Sequence, residues 1–175
     1  TQPQPIASIM EPGEKMSGHY QITSYDGKKL ACSFNRHPDG DCDRRTNIYY
    51  IQSEDWGKTW TNAAGERVEL PITREEGPAL VRNFRKDGRN CYIKDVNFDK
   101  DGNPLILYVT SDNYLTGPDG GEREWEVARW NGEKWEYTFI TRSTHCYDSG
   151  SIYVDGDEWT VVGPTEPGPQ YWGAG

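Results

Sequence analysis

Apolar and polar residues alternate with a period of two along most of the chain, and no stretch carries a long helical period in its place. Tyr20 and Ile22, then Leu30, Cys32 and Phe34, alternate on either side of Asp26-Gly27, which predicts a hairpin. Thr46 to Gln52 predicts a third strand, and the chain returns in a fourth around Thr59–Thr61 that Glu66, Val68 and Leu70 extend. The same grammar follows downstream. Tyr92–Asp99 turns at Asp101-Gly102 into the apolar run Pro104–Val109, and Glu124–Trp130 turns at Asn131-Gly132 into Trp135–Ile140. A third copy begins at His145, turns at Asp155-Gly156 and runs through Trp159–Val162. Residues 1–17, with Pro3, Pro5 and Pro12 and no period, read as a linker or the end of a preceding unit.

The spacing shows that these are repeats. Gly27 to Gly57 and Gly102 to Gly132 are both 30 residues, while Gly57 to Gly132 and Trp60 to Trp135 are both 75. Each unit is a four-stranded antiparallel meander, which is a propeller blade. The expected fold is therefore all-β, with about two and a half propeller blades at roughly 18–72, 90–141 and an incomplete 145–175. Blades bury their faces only against neighbours. The chain is thus expected to be part of a longer protein, or to have its open faces covered by further blades or another copy. Ser53-Glu54-Asp55-Trp56-Gly57-Lys58-Thr59-Trp60 fits Ser-x-Asp-x-Gly-x-Thr-Trp at every specified position and resembles the Asp-box, or BNR repeat, of sialidase-like β-propellers. The motif needs a tight hairpin: Asp55 accepts from its own turn, Gly57 takes positive φ, and Trp60 anchors the return. Its role is architectural.

Composition narrows the function. Aromatics make up 13% of the chain, with 19 Gly and 11 Pro, in keeping with short strands. No apolar run approaches the ~20 residues of a membrane span. The opening Thr1-Gln2-Pro3-Gln4-Pro5 has neither the charged nor the apolar region of a signal peptide and leaves export open. A net charge of −9 argues against nucleic acid, whose phosphates need a basic surface, but a local basic patch can still receive an anionic sugar. Cys32, Cys42, Cys91 and Cys146 include no Cys-x-x-Cys pair and make no disulfide framework.

In a blade, first-strand starts and second-strand ends share one face, and the Asp-box turns lie on the other. That rule gathers all three histidines, His19, His37 and His145, on the face away from the Asp-box. Cys91, Tyr92, Lys94, Tyr147 and Asp148 fall at first-strand starts; Tyr114, Glu166 and Gln170 lie just past second strands; Arg123 opens a third strand from the same side. Such a cluster is either a functional site or the polar packing of a crowded axis. The basic stretch Arg82, Arg85, Lys86, Arg89 and Lys94 runs toward this face and reads equally as a solvated loop.

Longer strings extend the resemblance from roughly Gly18 to Gly175. Tyr92-Ile93-Lys94-Asp95-Val96-Asn97-Phe98-Asp99, Ala128-Arg129-Trp130-Asn131-Gly132, Tyr147-Asp148 with Gly150-Ser151, and Pro164-Thr165-Glu166-Pro167-Gly168-Pro169-Gln170 are similar to BNR-repeat propellers that include ulvan lyases. The resemblance implies a seven-bladed propeller that splits a sulfated rhamnose and uronic acid polysaccharide by β-elimination, with no cofactor required, in a secreted or periplasmic setting. It implies His19, His37, Tyr114 and Arg123 as the catalytic group, with Arg36 or Arg82 as alternative arginines. Arginine, with His37, would neutralise the uronate; His19 or Tyr114 would take the proton and the other would protonate the leaving oxygen. Arg36, Tyr92, Lys94, His145, Tyr147, Asp148, Glu166 and Gln170 are the candidate substrate-binding set. Cys42, Cys91, His145 and Cys146 are the implied ligands of a structural zinc. Two other readings stand beside the lyase. One is a sialidase- or rhamnosidase-like glycoside hydrolase, for which Asp148 and Glu166 are the evident carboxylates, although the arginine triad and amino-terminal Arg-Ile-Pro of sialidases are not found. The other is a non-catalytic glycan-binding propeller.

Overall fold

The chain folds as successive antiparallel meanders. The computed structural model describes residues 4–115, 118–144 and 147–164. Strands β1 (Gln21–Tyr25), β2 (Leu30–Arg36), β3 (Thr46–Ser53) and β4 (Leu80–Arg82) form one four-stranded sheet in chain order. Strands β5 (Asn90–Phe98), β6 (Pro104–Ser111), β7 (Arg123–Trp130) and β8 (Trp135–Ser143) form a second, and β9 (Ser151–Asp155) pairs with β10 (Glu158–Val162) in a third. Among the described residues the only helical pieces are three short 3-10 turns, so the all-β expectation holds. No helix is long and apolar enough to cross a membrane among those residues.

Three hairpins close by one device. A short acidic or amide side chain accepts from the backbone of its own turn: Asp26 from Lys28 and Lys29, Asp99 from Asp101 and Asn103, Asn131 from Glu133 and Lys134. The Asp-box uses a denser form of it. Asp55 accepts from the backbone and hydroxyl of Thr59 at 2.8 Å each, and Ser53 Oγ accepts from the Gly57 backbone at 2.8 Å.

Strand β6 shows how the sheets stack. Ile106 and Tyr108 enter a core with Ile48, Tyr50 and Val81 of the first sheet and Phe84 just past it. Leu105, Leu107 and Val109 face the opposite way, into a core with Trp125, Val127 and Ile152 of the third unit. A period of two with both faces apolar is what a strand between two neighbouring sheets requires.

One expectation gives way. The Asp-box return around Thr59–Thr61 is not the fourth strand: Thr61 makes only isolated bridges to Gln52 and Arg67. Asn62 accepts from Ala64 and Glu66 and turns the chain away, and β4 pairs with β3 instead, Tyr49 opposite Leu80. The first sheet therefore ends past residue 72. Residues 6–9 pack onto this sheet: Ala7 bridges Ile72, and Ala7 and Ile9 are buried against Phe34, Tyr49 and Ile51.

Candidate functional site

At the end of the sheets away from the Asp-box, Gly18 bridges His37, whose amide donates to the Gly18 carbonyl at 2.8 Å. Asn35 fastens this edge to the second sheet, accepting from the Tyr20 amide and donating to the Cys91 carbonyl. The link between β2 and β3 is fastened too, since the Arg45 carbonyl accepts from the Cys91 amide at 2.9 Å. The half-buried Arg45 side chain then turns back among three rings. Its guanidinium carbon lies 4.6 Å from the Tyr20 centroid, 5.1 Å from Tyr92 and 5.0 Å from Tyr147. Its Nε donates to the Cys42 carbonyl at 2.8 Å, and no carboxylate lies within ion-pair distance among the described residues. Cation–π contact holds such a guanidinium without cancelling its charge.

A cavity of about 270 Å³ opens here, lined by Tyr20, Arg45, Tyr92, Lys94, Tyr147 and Asp148 among others. Lys94 Nζ lies 5.7 Å from the Tyr92 centroid and 5.9 Å from Trp125, so two cations converge on one pocket. Tyr92 and Tyr147 meet edge to face at 5.4 Å. His37 is buried, edge-on to Tyr20 at 4.6 Å, and its Nε2 has no partner among the described residues. Burial first, then the positive charge of Arg45 and of His19, pulls its pKa from 6.5 down to about 4, against a smaller opposing pull from Asp41. His37 is thus a neutral imidazole near neutral pH. His19 is half-buried against Phe34, with ring centroids 5.7 Å apart, and stays outside the cavity lining. Tyr114 stands at the rim, 48% exposed, where its carbonyl accepts from the Tyr147 hydroxyl at 3.4 Å.

The structure therefore brings Tyr92, Lys94, Tyr147 and Asp148 together around Arg45, with Tyr114 at their edge and His37 buried behind Tyr20, outside the cavity lining like His19. It withdraws the three expected arginines. Arg123 is fully buried, and its guanidinium donates to the carbonyls of Leu115, Gly120, Gly121 and Glu122. Arg36 is buried between Glu14 and Glu75, at 2.6 Å from each. Arg82 bonds Tyr108 and Glu126 between the first two sheets. The implied zinc set is not assembled by its described members: Cys42 is exposed, and the buried Cys91 thiol donates to the Asn47 carbonyl at 3.1 Å. Burial pushes that thiol far above its ordinary range. No cluster of three metal-ligating side chains occurs among the described residues. His145, Cys146, Glu166 and Gln170 lie outside the described residues.

Arg45 and Tyr20 escaped the sequence reading. The face rule that placed His37 covers the β2–β3 link as well, so the signal was present. It could not separate Arg45 from Arg44, which turns instead to Asp41 at 2.9 Å.

Residues 4–143 match the BNR repeat-containing family model. The chain belongs to that family. It is 32% identical over 103 residues to an ulvan lyase of Nonlabens ulvanivorans, an alignment covering 55% of this chain and 20% of that protein. It is 25% identical over 96 residues to the PL25 ulvan lyase of Pseudoalteromonas sp. (strain PLSV), covering 55% of this chain and 19% of that one. A solved PL25 ulvan lyase superposes with a TM-score of 0.68 at 16% identity, over 90% of this chain and 39% of the other. A second, bound to -[GlcA(1-4)Rha3S]-, gives the same TM-score at 17% identity. The BNR-repeat chain thus spans about a fifth of the length of its curated relatives, and the structural likeness establishes the fold.

Proposed function

We propose that this chain forms part of a seven-bladed β-propeller lyase that cleaves a uronic-acid-containing, ulvan-like polysaccharide by β-elimination. The observation that carries this is Arg45, a guanidinium without a carboxylate partner among the described residues, held among three tyrosine rings in an open cavity. Two relatives are ulvan lyases, and a PL25 ulvan lyase of the same fold was solved with -[GlcA(1-4)Rha3S]- bound. Such a polymer is met outside the cell, which supports a secreted or periplasmic protein.

The proton beside a uronate carboxylate is weakly acidic, and its removal builds negative charge on that carboxylate. A fixed cation placed there lowers the barrier because it needs no reorganisation as charge develops. Arg45 would make charge-assisted bonds to the carboxylate, with the Lys94 ammonium lining the same cavity. Tyr20 and Tyr147, the ring phenols that reach solvent, would take the proton and return one to the leaving oxygen. The carbon–oxygen bond to the neighbouring sugar breaks as the ring double bond forms, so the step is redox-neutral.

The test is the full-length protein on a uronate polymer, followed by the ultraviolet absorbance of the unsaturated uronide. Arg45→Ala should lower turnover roughly 10²–10³-fold, the cost of losing one preorganised charge-stabilising donor. New reducing ends without new absorbance would make the protein a hydrolase instead.

A further inference from the structure

Asn90 opens β5 two residues before Tyr92 and takes no part in lining the cavity. We propose that Asn90 is a positioning residue for Arg45: its side-chain amide fixes both the turn that carries the arginine and one of the rings that hold it. The work of the arginine in β-elimination rests on the lyase reading; the positioning rests on the hydrogen bonds around Asn90.

Arg45 follows directly on a short 3-10 turn, Cys42–Arg44. Its Nε donates to the Cys42 carbonyl, so a shift of that carbonyl would carry the charge with it. Asp43, inside the turn, is held on both sides: its amide donates to Asp41 Oδ1 at 2.9 Å, and its carbonyl accepts from Asn90 Nδ2 at 2.9 Å. Two residues on, the Arg45 carbonyl accepts from the Cys91 amide. Successive residues of β5 therefore grip the chain at 43 and at 45. A backbone carbonyl only accepts, so the Asn90 amide must present its nitrogen to Asp43. The second hydrogen of that nitrogen is left for the Tyr92 hydroxyl, 3.5 Å away on the same face of the strand. Tyr92 in turn lies against the Arg45 guanidinium. One NH2 group thus reaches the turn beneath the charge and a ring beside it. A displacement of about 1 Å in a group that must meet the reacting centre can cost about 100-fold in rate, so a tether of this kind acts on turnover out of proportion to its energy.

Two readouts on the full-length protein test this. The first is steady-state kinetics on a uronate polymer, followed by the absorbance of the unsaturated uronide. Asn90→Ala should lower kcat roughly 10-fold, short of the loss in Arg45→Ala, and change KM less, because the contact weakened is the one that grows in the transition state. Asn90→Asp keeps the shape but sets an acceptor against the Asp43 carbonyl, so it should lose at least as much, and it carries the test if the alanine variant folds poorly. In an Arg45→Ala background neither change should lower turnover further. A mere strap between the sheets would lose the same factor in both backgrounds, and that result would overturn the proposal, as would full turnover in Asn90→Asp. The second readout needs no turnover. The Arg45 Nε–H proton, assigned in nuclear magnetic resonance spectra by its absence in Arg45→Lys, should exchange with solvent several-fold faster in Asn90→Asp than in wild type. Unchanged exchange would remove the hold on Arg45 whatever the kinetics show. A wild-type protein that forms no unsaturated product, or an Arg45→Ala variant with full turnover, would end the lyase role of the arginine instead, and the exchange rate alone would then decide the positioning.

Discussion

The His37 imidazole meets the Tyr20 ring edge to face at 4.6 Å, and the Arg45 guanidinium lies 4.6 Å from the centre of the same ring. Burial, and after it the charge of Arg45, disfavours a cation at His37, so the fold holds His37 neutral down to about pH 4. The unfolded chain takes up that proton near pH 6.5. Between those values the unfolded state binds more protons, so stability is full above about pH 6.5 and falls as pH drops toward 4. Urea titrations across that window should show wild type losing more stability than His37→Asn. Parallel curves for the two proteins would remove His37 from the acid limb.

Between the first two sheets, Arg82 Nη1 lies 3.0 Å from Glu126 Oε2, and the Tyr108 hydroxyl donates to the same oxygen at 2.9 Å. Glu126 is mostly buried, and its removal strands two donors at the seam. Glu126→Ala should cost about 1–3 kcal/mol. Combined with Tyr108→Phe, the loss should fall short of the sum of the single losses, because both changes break one network. Strict additivity in a double-mutant cycle would mean the contact contributes nothing as a unit.

Phe84 follows β4 and fills the same seam, fully buried, 5.6 Å from the Tyr108 ring. Phe84→Ala should cost about 3–5 kcal/mol through lost burial and the cavity left between sheets. Thermal melts would register this as a large fall in midpoint, with the hairpin geometry inside each sheet unaltered.

The hairpins were legible because their signal is local: alternation sets each strand, and an Asx or glycine turn sets each reversal. The fourth strand of the first sheet was not, because Leu80–Arg82 offers only three residues and the apolar return after the Asp-box offered a better pattern. The site was legible as a face and not as a set of contacts. His37, Tyr92, Lys94 and Tyr147 follow from where strands start and end. Whether an arginine meets substrate or meets its own loop depends on its side-chain path, and nothing in the pattern around Arg36, Arg45 and Arg123 distinguishes them. Only the folded contacts put Arg36 between carboxylates, Arg123 beneath carbonyls and Arg45 in the cavity.

The repeat itself supplies the last prediction. Gly57 and Gly132 occupy equivalent turns 75 residues apart, and both have positive φ, 82° and 97°. Their surroundings differ: the Asp-box hydrogen bonds enclose the first, and Trp60 lies 3.5 Å from where its Cβ would stand, while nothing comes within 4 Å of a Cβ on the second. A contact of 3.5 Å is ordinary packing, so neither site opposes alanine by crowding. What opposes it is the backbone, since an L-residue in the left-handed region pays roughly 1–2 kcal/mol. Gly57→Ala and Gly132→Ala should therefore destabilise by about the same amount, despite the full motif at one turn and a degenerate one at the other. Denaturant unfolding of the two variants checks it. A much larger loss at Gly57 would show that the Asp-box network, rather than φ alone, demands glycine there.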